Sequence, residues 1–471
     1  MMHLVILGAG PAGLAAALEL TERNLRVTVL EKQNNVGGNA ASFNVAGIRV
    51  DYGSHRLHPA SDPAVLDRIK NLLGLDLLER PRHGRIRLLG RWIHFPLRPV
   101  DLLVRLHPRF AAGVAIDMVK KLIPSSAVNG TETFETLLEK GLGRTICREF
   151  YFPYAKKIWG LNPGEISPTQ AEKRVSANSI GKMILRLFPS KSATGAANTK
   201  GIFYYPRQGF GQISESLYGA SVKNGAEVIL NATISRIRRD GDRFLIAVEK
   251  GGQKKDIAAD RIFSTIPVTI LCRLLDPPAP RDVLQAVDAL EFRAMILIYL
   301  VLEQDQFTEF DAHYFPETEF TFTRLSEPKN YSASKKPEGR TVLCAELPCS
   351  MSDEVWARSD RELGELVKES LDRAGLPIPC AISHVEARRI PHAYPLYRVG
   401  YERPFETIDR WLDGLDGLLT FGRQGLYAHD NTHHAMYMAQ SAAKCLRDDG
   451  TFDRDLWHRQ REIFKTHRVE D

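Results

Sequence analysis

Apolar positions along this chain recur in three patterns. Continuous runs at residues 3–7, 27–30 and 294–302 have the length and Val/Ile/Leu content of strands covered on both faces. Alternating runs fall at 43–50 around Gly47, at 84–97 around Gly90, and at 226–230, 234–238 and 243–248 with turns at Asn231 and Gly241. They predict two hairpins and a small antiparallel sheet. Residues 258–267 read as one strand returning the chain to a main parallel sheet, 341–347 as another strand, and a last one ends at Phe421. Helical spacing marks 14–20, a helix opened by Asp62-Pro63, 212–223, 360–374, and a helix beginning near Thr432. Residues 100–122 form a basic, amphipathic helical region interrupted by Pro108. Its apolar side is expected to pack on the domain core, a membrane surface being the alternative. Residues 190–200, rich in Ser, Ala, Gly and Lys, read as a loop.

The first of these elements belong together. The run 3–7 feeds Gly8, Gly10 and Gly13, a helix follows, and the run 27–30 ends in Glu31. In such a strand–turn–helix–strand unit Gly8 makes the tight turn and Gly10 admits a pyrophosphate against the backbone. Gly13 lets helix and strand close up, and the helix N-terminus offers N–H donors and partial positive charge. Glu31 is placed to accept hydrogen bonds from a ribose. The unit reads as a dinucleotide site. A signal peptide is disfavoured, because no basic stretch precedes the apolar run and Gly-Pro breaks it.

Composition changes this picture little. The chain has 471 residues, 44% hydrophobic and 25% charged, enough for two domains with their own cores. A net charge of +6 with dispersed Lys and Arg leaves no nucleic-acid footprint and weakly suits an anionic substrate. The six cysteines show no C-x-x-C and no zinc spacing, so reduced thiols in a cytoplasmic protein are expected. No apolar run is long enough to span a bilayer.

Residues 32–40, K-Q-N-N-V-G-G-N-A, add a second glycine pair close after the acid. This extension resembles the flavoprotein pattern of the amine-oxidase superfamily, where such a pair approaches the FAD diphosphate. The resemblance implies bound FAD, with Gly8, Gly10, Pro11, Ala12, Gly13, Glu31, Lys32, Gly37, Gly38 and Asn39 as its candidate contacts. Asp51-Tyr52-Gly53-Ser54-His55 is similar to a D-x-G-x-H-like segment that lies against the flavin in that superfamily. It implies cofactor roles for Ser54 and His55, with His55 also a catalytic candidate; His58 is read as a loop histidine.

Two further stretches resemble the UDP-galactopyranose mutases and, more loosely, protoporphyrinogen-oxidase-like proteins. Residues 149–176 carry F-x-x-x-Y-x-x-K-x-W-G-x-x-P, which implies Tyr154 and Trp159 at the substrate and Arg174 on a nucleotide diphosphate. The mutases follow this Arg with a proline-containing turn and a second Arg; here Val175-Ser176-Ala177-Asn178 stands instead. Residues 415–443 resemble the mutase G-R-x-x-x-Y-x-Y element, implying roles for Gly422, Arg423 and Tyr427. His429 stands where a second Tyr is usual, Asp430-Asn431 only approximately replaces the acid, and Asn431 and Thr432 open a helix aimed at the flavin. Residues 390–401 resemble a protoporphyrinogen-oxidase-like element and offer Tyr394, and Tyr397 beside it, to the pocket. His429, Asp430, His433 and His434 do not share one face at a helix start, and no second ligand cluster accompanies them, so no metal is expected.

The expected fold is α/β: a discontinuous Rossmann-like FAD-binding domain (1–75, 205–285 and 415–450) with a second, substrate domain of helical insertion plus mixed β-sheet (76–204 and 286–414), and a C-terminal tail, 451–471. The expected function is a FAD-dependent oxidoreductase whose flavin accepts a hydride from a small, anionic molecule. Here His55, Arg174 and Arg423 are the catalytic candidates, and Tyr154, Trp159, Arg174, Tyr394, Tyr427 and His429 the substrate contacts. The alternatives are a nucleotide-sugar ring isomerase using reduced FAD, and a non-catalytic FAD-binding module.

Overall fold

The computed structural model describes residues 2–95, 105, 108–121, 131–174 and 201–469. Five parallel strands form the main sheet, in the order Leu418–Thr420, Arg261–Ser264, His3–Leu7, Arg26–Leu30, Glu227–Ile229. Leu7 is level with Leu30 on one side and Ser264 on the other, and Ser264 is level with Thr420. Four carboxyl ends therefore finish on one line, the edge where open α/β sheets bind ligands. Every residue of His3–Leu7 is buried, as a two-faced apolar strand requires. The helix Pro11–Thr21 packs on Gln212–Lys223 and Thr432–Cys445 through small side chains, Ala15, Ala16, Ala439 and Ala442 among them.

A mostly antiparallel sheet of Gln253–Ala259, Arg243–Lys250, Thr233–Asp240 and Leu275–Asp276 covers the other face. The single strand expected over 258–267 is in fact two. Gln253–Ala259 belongs to this second sheet, the chain switches sheets at Asp260, and Arg261–Ser264 enters the main one. Asp260 makes the switch: its carboxylate accepts the His3 N–H at 2.6 Å and the Arg243 guanidinium at 2.6 Å, and its own N–H donates to the His3 carbonyl at 2.8 Å.

A seven-stranded mixed sheet stands apart, in the order Ile382–Pro395, Phe292–Leu302, Thr341–Cys349, Arg324–Ser326, Ala312–Tyr314, Gly84–Leu88, Arg91–Phe95. Only the Ala312–Tyr314 and Gly84–Leu88 pair is parallel. The helix Asp360–Arg373 covers one face of it. Helices Phe134–Leu142, Phe152–Trp159 and Pro168–Arg174 make the helical insertion, with a π-turn at Cys147–Tyr151.

The helix Pro108–Lys121 packs its apolar side on a core only in part: Phe110 rests against the buried cluster of Ile86, Leu88 and Ile93, whereas Ile116, Met118 and Val119 are 54%, 42% and 61% exposed. It also docks through Gly113, which lies against Thr145, and through Asp117, which accepts the Thr145 N–H at 2.6 Å. The loop expected at 190–200 lies outside the described residues. No helix among the described residues is long and apolar enough to cross a membrane.

Candidate functional site

A cleft of about 800 Å³ opens at the carboxyl edge of the main sheet and runs between that sheet and the mixed sheet. Its floor is the glycine cradle. Gly8 takes φ +100° and donates to the Leu30 carbonyl at 2.8 Å. A Cβ on Gly13 would stand 1.9 Å from the Gly8 carbonyl oxygen, so only glycine lets helix and turn close. The second loop is tied to the first: Gly37 N–H donates to the Ala9 carbonyl at 2.8 Å, and a Cβ on Gly38 would lie 3.5 Å from Gly10 Cα. At Gly10 itself a Cβ would meet nothing within 4 Å, so the space between the loops is open to a ligand.

Pro11 begins the helix and no side chain caps it, which leaves the first-turn N–H groups for an anion. Pro11, Ala12, Lys32 and Asn39 line the cleft with Gly8, Gly10 and Gly38, whereas the expected contacts Gly13 and Gly37 are not in its lining. Glu31 sits at its edge, with Oε2 accepting the Ala9 N–H and Oε1 the Gln33 N–H, both at 2.8 Å. Two facing glycine loops, an uncapped helix start and a fixed acid are what a dinucleotide diphosphate and ribose require, and FAD fits these residues.

The wall beside the cradle is the segment Tyr52–Arg56. Asp51 anchors it. Its Oδ1 accepts from Ser42 Oγ at 2.5 Å and from the Phe210 N–H at 2.9 Å, Tyr205 donates to Oδ2 at 2.5 Å, and Tyr299 donates to its carbonyl at 2.6 Å. Burial raises the Asp51 carboxyl above its ordinary range against these bonds. Glu346, from the middle of the mixed sheet, accepts the Ser54 N–H at 2.8 Å and takes Arg324 in two-pronged fashion at 2.9 and 2.8 Å. His55 stacks on Phe210 with centroids 5.0 Å apart, and its Nε2 lies 2.9 Å from the Tyr52 carbonyl. A carbonyl only accepts, so Nε2 carries the proton and Nδ1 is the acceptor. Burial lowers the His55 pKa and outweighs Asp51 and Glu346, which keeps the ring neutral.

The far end of the cleft is built from the last strand, the turn after it and the final core helix. Gly422, at φ +79°, would place a Cβ 2.9 Å from that of Ala12, so the C-terminal turn packs directly on the cradle. Arg423 lines the cleft and donates to the carbonyls of Asp430 at 3.2 Å and Ala393 at 2.8 Å, its guanidinium 5.1 Å above the Tyr394 ring. Tyr394 and His429 stack at 5.2 Å and both face the cleft. Asn431 and Thr432 line it at the start of Thr432–Cys445, the Asn431 N–H donating to His434 Nδ1 at 3.2 Å.

Other expected contacts fall behind this wall. Trp159 is buried and abuts Tyr394 and His429 edge-on, at 5.5 and 5.0 Å. Tyr154 packs on Phe150, away from the cleft lining. Tyr427 is buried and donates to the carbonyls of Glu291 and Leu396, and Tyr397 donates to the Tyr427 carbonyl. Arg174 ends the helix Pro168–Arg174, and its side chain lies outside the described residues. The F-x-x-x-Y-x-x-K-x-W-G motif thus acts here as scaffold. Lys157 Nζ donates to the carbonyls of Phe315, Glu317 and Phe322 at 2.5, 3.0 and 2.8 Å. Gly160 is a left-handed helix cap whose Cβ would meet Arg293.

Sequence reasoning missed Arg56, Arg324, Arg388, Arg389 and His392, all on the cleft. Only the pairing of Ile382–Pro395 and Arg324–Ser326 into the mixed sheet brings four of them there, and no local spacing announces it. It also missed His467, which approaches Asp430 and His434 to make a group within metal-ligand reach. The two rings are stacked, 4.3 Å apart and 12° from parallel, so their in-plane lone pairs do not converge on one point. Lys173 already pairs with Asp430 Oδ1 at 3.2 Å. That arrangement suits an ion-paired cluster rather than a metal centre.

The cradle, the cleft and the three sheets around them define a FAD-binding fold shared by oxidases and mutases. The chain belongs to the flavin containing amine oxidoreductase family, whose profile matches residues 11–436, and FAD is its cofactor. It is 26% identical over 326 residues to a coproporphyrinogen III oxidase of Propionibacterium freudenreichii, covering 59% of each chain. It is 26% identical over 181 residues to a dTDP-fucopyranose mutase of Escherichia coli, covering 37% of this chain and 46% of that one. The chain therefore spans less than two thirds of the length of these curated relatives. Among solved structures, a reduced UDP-galactopyranose mutase superposes with a TM-score of 0.81 over 100% of both chains at 21% identity, a likeness of fold.

Proposed function

We propose that this protein is a FAD-dependent oxidoreductase acting on a small anionic molecule. The observation that carries the reading is the far wall of the cleft: a cation, Arg423, beside the flat stack of Tyr394 and His429, in line with the glycine cradle. Lys32, Arg56, Arg324, Arg388 and Arg389 also line the cleft, against the acids Glu31 and Asp430. FAD bound on the cradle supplies a two-electron acceptor. The chain's own part is positioning and electrostatics. Arg423 holds the anionic group, Tyr394 and His429 bound the substrate's apolar surface, and Trp159 fixes both rings from behind. His55, neutral and tethered to Tyr52, keeps an acceptor nitrogen in the wall beside the cofactor.

A second reading is a nucleotide-sugar ring isomerase in which Arg174 and Arg423 hold a diphosphate. The full-length superposition on a reduced UDP-galactopyranose mutase favours it. The sequence 175–178, without a second Arg, and His429 in a tyrosine position weigh against it.

The test uses the purified yellow protein. Anaerobic bleaching of the flavin by an anionic, porphyrinogen-like donor is the expected result, and bleaching by a cationic amine alone would keep the oxidoreductase and reject the anionic substrate. Interconversion of UDP-sugar ring forms by the dithionite-reduced protein alone, with no donor bleaching the oxidised form, would overturn the oxidoreductase reading for the isomerase. Neither activity, with FAD bound, would point to the non-catalytic module.

A further inference from the structure

The chain after the helix Arg454–Lys465 does not trail off the surface. Trp457 and Phe464 bury the helix against the core of the main sheet, and Arg461 pairs with Asp409 at 2.7 Å. Of the next four residues Thr466 and Arg468 are exposed, and His467 and Val469 turn inward. His467 stacks on His434, and its Nδ1 lies 3.5 Å from Asp430 Oδ2. Val469 is 8% exposed and lines the cleft together with Asp430, Asn431 and Thr432. Its N–H donates to the Lys173 carbonyl at 2.9 Å. That carbonyl belongs to the helix Pro168–Arg174. Lys173 Nζ in turn pairs with Asp430 Oδ1.

One closed circuit results. The helix of the insertion is joined to residue 469 by a backbone bond and to Asp430 by an ion pair, and residue 467 is joined to Asp430 and His434 at the start of the last core helix. Asp430 also presents its carbonyl to Arg423. Each link is made by a residue at least 88% buried, where a polar group without its partner is costly.

We propose that Val469 is a wall of the cleft, and that His467 is a positioning residue which clamps the substrate-side helix Pro168–Arg174 to the flavin-side helix Thr432–Cys445. The clamp sets where Lys173 stands relative to Asp430 and Arg423, and holds Val469 in place to close the cleft on that side. The inference rests on FAD in the cleft and not on which substrate is used.

The experiment compares the holoprotein with His467→Ala, His467→Asn and a chain ending at Thr466. Two readouts serve: the rate at which dithionite, a small anionic reductant, bleaches the bound flavin, and backbone hydrogen exchange over 168–173. Removing the wall is expected to raise the bleaching rate at least threefold and to speed exchange over 168–173, with FAD content unchanged. Asparagine, whose Nδ2 stands near the place of the histidine Nδ1 that lies 3.5 Å from Asp430 Oδ2, keeps a polar group facing Asp430 and is expected to restore both towards the parent values. Unchanged bleaching and unchanged exchange in His467→Ala would overturn the proposal. So would an asparagine variant no closer to the parent than alanine, which would leave His467 as packing alone. If the shortened chain does not retain FAD, the two point variants decide. Altered exchange without altered bleaching keeps the clamp and rejects the wall.

Discussion

At the scale of single residues, two glycines of one motif do different work, and the structure separates them. Gly13 is a packing glycine: an added Cβ would stand 1.9 Å from the Gly8 carbonyl, and backbone cannot step aside as a flexible side chain can. Gly13→Ala is expected to cost at least about 3 kcal/mol and to lose FAD and fold together, read as a fall in melting temperature of the apoprotein. Gly10 is a ligand glycine. Its backbone, φ −74° and ψ 178°, suits any residue, and a Cβ would meet nothing within 4 Å. Gly10→Ala is expected to leave the apoprotein's stability within about 0.5 kcal/mol while weakening FAD about tenfold or more. A titration of apoprotein with FAD checks it, and an alanine variant that binds normally would remove the diphosphate from that position.

At the scale of elements, what could be read from sequence follows from how far apart the cooperating residues lie. The first unit, its glycines and its acid are within about thirty residues, so spacing carried the cofactor half of the site. The hairpins at Gly47 and Gly90 were legible for the same reason. The substrate half was not. Arg324 and Arg388 reach the cleft through strand order, Glu346 and His467 stand behind Ser54 and Asp430 of its lining, and the break at Asp260 depends on a bond to His3. The motif at 150–160 shows the same limit: its Trp and Lys were legible as a pattern but not as scaffold. Lys157 joins the insertion to the loop at 315–322 with three bonds, matching three ammonium donors to three carbonyls. Lys157→Met keeps the stem and removes the donors, and is expected to cost about 2 kcal/mol and to speed amide exchange over 315–322 with FAD retained. Its neighbour Lys156 is exposed, and Lys156→Met is expected to change stability by less than about 0.5 kcal/mol.

At the scale of the whole molecule, the insertion, the last core helix and the segment after Lys465 meet at Asp430, and that meeting has a pH signature. Burial alone would raise the Asp430 carboxyl, but the His467 contact and the nearby Lys173 and His434 hold it down at about 2. Burial foremost, with His433, holds His434 at about 3. Both folded-state values lie below the ordinary ones, 3.8 and 6.5. The unfolded chain therefore takes up protons first, and the stability these groups contribute is complete above pH 6.5 and lost as pH falls. For His434 the loss runs from 6.5 to about 3, and for Asp430 from 3.8 to about 2, the latter amounting to roughly 2 kcal/mol. Burial lowers His55 and His313 too, so they add to the same slope. A glutamine at 434 removes one titration while its amide can still reach the Asn431 N–H, as the capping arrangement requires. Chemical unfolding of His434→Gln between pH 7 and 4 is therefore expected to show a shallower loss of stability than the parent chain, with the two curves closest at neutral pH. Parallel curves over that range would mean that the histidine is already charged in the folded protein. Lys173 would then share Asp430 with a second cation, and the circuit that joins insertion, last helix and tail would hold two charged links to that carboxylate in place of one.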